Sequence, residues 1–154
     1  MKAYGSYPAA PRSEVEWEEL LVRYELGPRA FRVALEDLDE GPAVQPVGDA
    51  LRALVMHELR AATLFLAMRE GRPMEVQPGV AMVSPDPHEV HAQYEELRAR
   101  NFAGVQRRGI RVWKWRTDAP LFGPVTAYQL ILASTAFDGE MLAAVRRALS
   151  EAAC

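Results

Sequence analysis

Residues 51–62 read LRALVMHELRAA, and the spacing of their apolar side chains decides the fold. Leu54, His57, Ala61 and Leu64 follow one another at intervals of three or four, so they share one face of a helix. That face is apolar apart from the imidazole of His57. A histidine in this position is either a core residue with satisfied hydrogen bonds or one half of a functional site, and the groups that face it decide between the two.

Four segments of helical periodicity account for most of the chain. The predicted helices are Ser13–Leu38, Val47–Glu70, Asp86–Gly109 and Thr126–Glu151. Gly27 and Pro28 interrupt the first of them, and proline removes a helical hydrogen bond, so we expect a kink or a break there. The sequence predicts an all-α protein, an up-down four-helix bundle with a long crossover connection.

Short motifs mark the predicted helix ends. Ser13 with Glu16, and Thr126 with Gln129, have the spacing of capping boxes, in which two side chains satisfy free backbone amides at a helix start. Gly71 follows the second helix as its C-terminal stop.

The segments between the helices are less regular. Arg72–Ser84 is long enough to predict the crossover connection. Ile110–Trp115 alternates apolar and basic residues, which predicts a short extended segment packed on one side, and Thr117–Pro124 is predicted as a loop. Residues 1–12 are predicted to be a polar N-terminal arm, and residues 13–151 a single bundle domain.

The bulk composition limits the classes of function. The chain has 154 residues and a net charge of -3, and this acidic balance argues against nucleic-acid binding. The basic and aromatic run Arg107–Arg116 resembles a single-strand binding segment, but we interpret it as a solvated loop or short strand. The single cysteine, Cys154, favours a reducing compartment, and no apolar stretch predicts a membrane span. We therefore expect a cytoplasmic protein without membrane partners.

The three histidines are the candidate metal ligands. His88 and His91 lie at the start of the third helix, where the helix dipole favours anions, so we expect them to be exposed residues of the first turn. His57 could bind a divalent ion weakly together with Asp138 or Glu140. In the alternative interpretation, those two carboxylates flank Gly139 on a solvated face.

Three stretches together resemble a known family. Residues 17–31 read WEELLVRYELGPRAF, residues 51–62 are quoted above, and residues 123–149 read GPVTAYQLILASTAFDGEMLAAVRRAL. Their combination is similar to the DinB-like (DinB/YfiT-like) family of bacterial four-helix-bundle proteins, over most of the chain. The resemblance implies a divalent metal bound by three histidines, and characterised relatives include transferases that use a low-molecular-weight thiol.

Only one of the three implied ligands is present. His57 matches the ligand on the second helix, whereas Phe137 and Met141 stand where the last helix would carry its two histidines. The resemblance therefore implies a degenerate site with Glu58, Phe137 and Met141 around His57. Either apolar side chains fill the space of the lost metal, or a carboxylate at 138 or 140 replaces the missing ligands.

Three hypotheses about function follow. We expect a small-ligand-binding or non-catalytic member of the family, without a cofactor. The first alternative is a transferase that depends on Zn²⁺ or Ni²⁺ and uses a low-molecular-weight thiol. The second alternative is a stress-associated interaction protein, and we expect a homodimer because bundles of this size often pair through an exposed helix face.

Overall fold

The computed structural model describes residues 2–71, 84–107, 110–119 and 123–153, and most of them are helical. The α-helices are α1 (Glu14–Leu26), α2 (Ala30–Leu35), α3 (Val44–Glu70), α4 (Pro87–Gln106) and α5 (Ala127–Ala152). α3 packs against α4 and α5, and α1 packs against the same two helices. The prediction of a mainly helical fold is confirmed, whereas the up-down order of the bundle stays a prediction. The predicted crossover link, apart from Ser84, lies outside the described residues.

The first predicted helix is divided where the sequence contains Gly27 and Pro28. A single 3₁₀ turn, Gly27–Arg29, separates α1 from α2. Proline has no amide hydrogen, so Pro28 cannot donate to the carbonyl of Tyr24 as the next residue of a continuous helix would. The expected break is therefore confirmed.

The predicted helix ends are largely confirmed. Thr126 and Gln129 form a complete capping box, with the Gln129 amide 3.1 Å from Thr126 Oγ1 and the Thr126 amide 3.0 Å from Gln129 Oε1. At α1 only half of the box forms. Ser13 accepts a hydrogen bond from the amide of Glu16, but the carboxylate of Glu16 binds Arg12 instead of returning to Ser13.

A left-handed glycine ends α3. Gly71 has a φ of 66°, which a residue without a side chain adopts at little cost, and its amide donates to carbonyls in the last turn. The predicted C-terminal stop is confirmed.

The segment after α4 departs from the expectation of an all-α chain. Ile110–Lys114 is a 3₁₀ helix and not an extended segment. β1 (Arg116–Ala119) then pairs antiparallel with β2 (Gly123–Thr126), so the predicted loop is wrong over both strands. Each strand has four residues, and the side chains that β1 buries, Thr117 and Ala119, are small. Such a short strand with small inward residues gives almost no periodic hydrophobic signal.

Two clusters of buried apolar side chains form the core. On α3, buried residues between Val47 and Val55 belong to one cluster, and Ala61, Leu64 and Met68 belong to the other. α4 and α5 are divided in the same way. Between the clusters lie six buried polar side chains: His57 and Glu58 on α3, Arg98 and Asn101 on α4, and Ser134 and Asp138 on α5. The interior is therefore two apolar regions with a polar layer between them.

The N-terminal residues pack against the beginning of α5. Tyr4 is buried, Gln129 Nε2 donates to the Tyr7 carbonyl at 3.0 Å, and Thr126 Oγ1 donates to the Ala9 carbonyl at 2.7 Å. Within the described ranges, no helix combines the length and the apolar character that crossing a membrane requires.

Candidate functional site

His57 is a buried residue of the polar layer, held by α5. Its side chain Nε2 lies 2.8 Å from Ser134 Oγ, and Ser134 Oγ donates its hydrogen to the carbonyl of Leu130 at 2.9 Å. A hydroxyl has one hydrogen, so when Ser134 donates to Leu130, His57 Nε2 carries a proton and donates it to Ser134. The other ring nitrogen, Nδ1, is buried and has no hydrogen-bond partner among the described residues.

The imidazole of His57 is neutral at ordinary pH. Burial lowers its pKa to about 4, and the charge of Arg98 acts in the same direction, while Glu58 opposes it. The ring packs against Phe137, with the ring centres 5.4 Å apart. His57 is thus a core histidine whose surroundings favour its uncharged form.

Asp138 lies in the interior and not on a solvated face. Both of its oxygens accept hydrogen bonds of 2.8 Å from the guanidinium of Arg98, and Tyr94 donates its hydroxyl to Oδ1. Burial raises the pKa of Asp138, and the contacts with Arg98 and Tyr94 oppose that rise. Glu140 is exposed, so the solvated-face interpretation holds for this carboxylate and is wrong for Asp138.

Arg98 is the centre of the polar layer. Its Nε and Nη2 lie 2.9 Å and 2.7 Å from Glu58 Oε1, and Nη1 donates to the carbonyl of Tyr24 at 2.6 Å. With the two bonds to Asp138, all five donor hydrogens of the guanidinium are used. Burial alone would lower the pKa of Arg98, but the carboxylates of Glu58 and Asp138 raise it well above its ordinary value.

Sequence reasoning missed Arg98 and Asn101, although a signal was present. Val90, Tyr94, Arg98, Asn101 and Val105 follow one another at helical intervals, and all five are buried. Two polar residues inside an apolar stripe indicate partners on another helix. Asn101 Nδ2 donates to Glu58 Oε2 at 2.8 Å, so both oxygens of that carboxylate have partners.

Gly27 allows the ion pair to approach the break between α1 and α2. A Cβ atom at this position would overlap Asp138 Oδ2 and would lie 3.1 Å from Arg98 Nη1. The same break leaves the Tyr24 carbonyl for Arg98. The Gly27-Pro28 sequence therefore helps to form the polar layer as well as dividing the helix.

The two histidines of α4 have different environments. His88 is exposed, as expected, and its Nε2 bonds to the carbonyl of Leu38. His91 is buried, which contradicts the expectation of an exposed first-turn residue. Its Nε2 donates to the carbonyl of Pro28 at 2.9 Å, and its Nδ1 lies 3.2 Å from Glu95 Oε1. The break after α1 supplies this partner, which no pattern within α4 indicates.

An open cleft lies between the later turns of α3 and α4. It has a volume of about 330 Å³ and is lined by apolar side chains, by three arginines and by Asn101. The apolar lining residues are Ala62, Phe65, Leu66, Val105 and Trp115, and the arginines are Arg69, Arg100 and Arg107. Asn101 also binds Glu58, so one side chain belongs both to the cleft and to the polar layer.

The chain matches no family model and no curated protein. The resemblance to the DinB-like family therefore stays a prediction, as do self-association and thiol-transferase activity.

The described side chains around His57 are engaged with one another. Ser134 binds one ring nitrogen, Phe137 packs on the ring, and Arg98 and Tyr94 bind the carboxylate of Asp138. In the parts of the chain that the structure describes, no three or more His, Cys, Asp or Glu residues are grouped so that they could hold a metal ion. Cys154 lies outside those parts.

Proposed function

We propose that this protein is a non-catalytic, DinB-like helical bundle that binds a small organic molecule in the cleft between α3 and α4. The observation that carries the proposal is the cleft itself, about 330 Å³ in volume with apolar walls. This volume lies within the range of small-molecule sites, roughly 300–1,000 Å³.

The reactive side chains of the polar layer are buried and hydrogen-bonded to other protein groups. A general acid or base must reach the bound molecule directly or through one water. Glu58 and Asp138 are buried against Arg98, and His57 is buried against Ser134. None of these five side chains is among the residues that line the cleft as described. The arrangement favours binding over catalysis.

Phenylnaphthylamine, a neutral probe that fluoresces in apolar surroundings, tests the proposal. Gly104 lines the cleft, and a Cβ atom there would meet nothing within 4 Å, so Gly104→Phe places a ring in the cleft without displacing the helix. We expect saturable binding of the probe to the natural protein and at least about tenfold weaker binding to the variant, equivalent to about 1.4 kcal/mol.

Gly139→Phe is the matched control. Gly139 lies on α5, is exposed, and also has open space where a Cβ atom would be. This variant should bind the probe as the natural protein does. The proposal fails if the natural protein shows no saturable binding, or if Gly104→Phe binds the probe unchanged.

A further inference from the structure

We infer that the molecule bound in the α3–α4 cleft is an organic anion, with an apolar body and a carboxylate, sulfonate or phosphate group. This inference rests on the proposed function and names the class of ligand for the same cleft. The chain as a whole carries a net charge of -3, so a cationic cleft is a local property and does not follow from its composition.

The charge around the cleft is positive. Arg69 lies at the end of α3, and Arg100 and Arg107 come from α4 and the residue after it. Arg100 forms an ion pair with Glu96 at 2.6 Å. Arg69 and Arg107 form no ion pair within the described residues, and the described lining contains no acidic side chain. Among the described residues, no carboxylate therefore competes with a ligand for these two guanidinium groups.

The chemistry of the lining fits the two parts of such a ligand. A guanidinium group offers a planar fork of donors that matches the oxygens of a carboxylate, sulfonate or phosphate. Phe65, Leu66 and Trp115 provide apolar surface for a hydrocarbon or aromatic body. The ligand would therefore place its apolar body against α3 and α4 and its anionic group beside Arg69 and Arg107.

A second cleft provides an internal contrast. It has a volume of about 370 Å³ and is lined largely by apolar residues of α2, of the segment between α2 and α3, and of the end of α5. The same lining carries Asp37 and Glu40. Its described lining has no arginine or lysine. The carboxylates of Asp37 and Glu40 would repel an anionic probe, so such a probe should prefer the cleft with arginines.

Two fluorescent probes that differ in one group separate charge from apolar contact. Anilinonaphthalene sulfonate has the aromatic framework of phenylnaphthylamine with an added sulfonate. We expect the sulfonate to bind the natural protein about tenfold more tightly than the neutral probe, as charge-assisted hydrogen bonds add to the same apolar contact. The ratio should fall as salt is added, because the arginines are exposed.

The double variant Arg69→Gln/Arg107→Gln removes both charges and keeps long polar side chains. Its affinity for the sulfonate should fall to that of phenylnaphthylamine, while its affinity for the neutral probe is unchanged. The matched control is Arg146→Gln/Arg147→Gln, which removes two exposed arginines of α5 and should keep the tenfold ratio.

The outcomes distinguish the two proposals. Suppose that Gly104→Phe weakens binding of the neutral probe, but the natural protein binds the sulfonate no more tightly than the neutral probe. The inference is then overturned and the proposed function stands. It is also overturned if Gly104→Phe leaves sulfonate binding intact, or if the double variant loses the neutral probe as well. If neither probe binds the natural protein, the proposed function itself fails.

Discussion

Arg98 donates a 2.6 Å hydrogen bond to the backbone carbonyl of Tyr24, and its guanidinium also lies 4.3 Å from the centre of the Tyr24 ring. That carbonyl would accept from the next turn in a continuous helix, but the next turn begins with Pro28. The carbonyl that the break in the first helix leaves free therefore accepts a hydrogen bond from a residue of α4. One buried cation satisfies a free carbonyl, two carboxylates and the faces of two tyrosine rings.

The first prediction concerns the loss of this cation. Arg98→Met keeps much of the side-chain volume but leaves Glu58 and Asp138 as buried carboxylates without a cation, with only Asn101 and Tyr94 still donating to them. Removing one member of a buried ion pair typically costs about 3–5 kcal/mol, and we expect a loss of this size in the free energy of unfolding. Urea denaturation followed by circular dichroism measures it.

Two further variants make this prediction specific. Arg100→Met removes an arginine of the same helix whose ion pair is exposed, and should change stability by less than about 1 kcal/mol. Arg98→Met combined with Glu58→Gln and Asp138→Asn removes all three charges and should be more stable than Arg98→Met alone. Equal stability of the single and triple variants would show that charge is not what Arg98 contributes.

The second prediction concerns the close approach at Gly27. Its φ of -48° is helical, so alanine would normally be preferred there by propensity. The overlap of a new Cβ atom with Asp138 Oδ2 reverses this, because the carboxylate is held by two bonds from Arg98. We expect Gly27→Ala to destabilise the protein by about 1–3 kcal/mol in thermal and urea unfolding.

Gly139→Ala provides the comparison, since a Cβ atom there meets open space within α5. It should stabilise the protein by about 0.5–1 kcal/mol. If both alanine variants are stabilised alike, the Gly27 contact does not constrain the fold.

The helices were predictable because their signals are local. Apolar spacing located α3 and α5 within a few residues, and the Thr126–Gln129 pair and Gly71 identified ends that depend on adjacent backbone groups. β1 and β2 were missed because four-residue strands carry little periodic information, and β1 buries only the small side chains of Thr117 and Ala119. Their pairing depends on the partner strand more than on either sequence alone.

The polar layer was less predictable than the helices. His57 and Asp138 were both singled out, but as possible co-ligands, whereas they bind Ser134 and Arg98 respectively. Which groups face each other across three helices depends on helix rotation and offset, which a single sequence does not fix. Buried arginines are rare, so the position of Arg98 within an apolar stripe does not by itself predict a buried cation.

The third prediction follows from the neutral state of His57. In the unfolded chain this histidine takes up a proton near its ordinary pKa of 6.5, whereas in the folded protein burial lowers the pKa to about 4. Between pH 6.5 and pH 4, His57 is protonated in the unfolded chain but not in the folded protein. The free energy of unfolding therefore falls as the pH is lowered through this range. The limit of this loss is about 3 kcal/mol.

His57→Gln isolates that contribution, because other groups also titrate. Burial raises the pKa of Asp138, so that residue favours the folded state as pH falls and opposes His57. The difference between the natural protein and His57→Gln should therefore change with pH between 6.5 and 4, with the natural protein losing more. A stability difference that does not depend on pH would contradict the neutral state of His57. Nitrogen NMR of the ring is a direct check, because the chemical shifts should be those of a neutral imidazole protonated at Nε2.

The last prediction concerns metals. Ser134 binds Nε2 of His57, Phe137 packs against the ring, and the carboxylate of Asp138 is bound by Arg98. Purified, dialysed protein should therefore hold no stoichiometric transition metal in elemental analysis. Added Zn²⁺ or Ni²⁺ should give the same shift in melting temperature for the natural protein and for His57→Gln, because any remaining effect comes from other residues. A stoichiometric metal that is lost in His57→Gln would instead favour the metal-dependent thiol transferase. Metal analysis of Asp138→Asn would then show whether the Asp138 carboxylate leaves Arg98 to bind the ion.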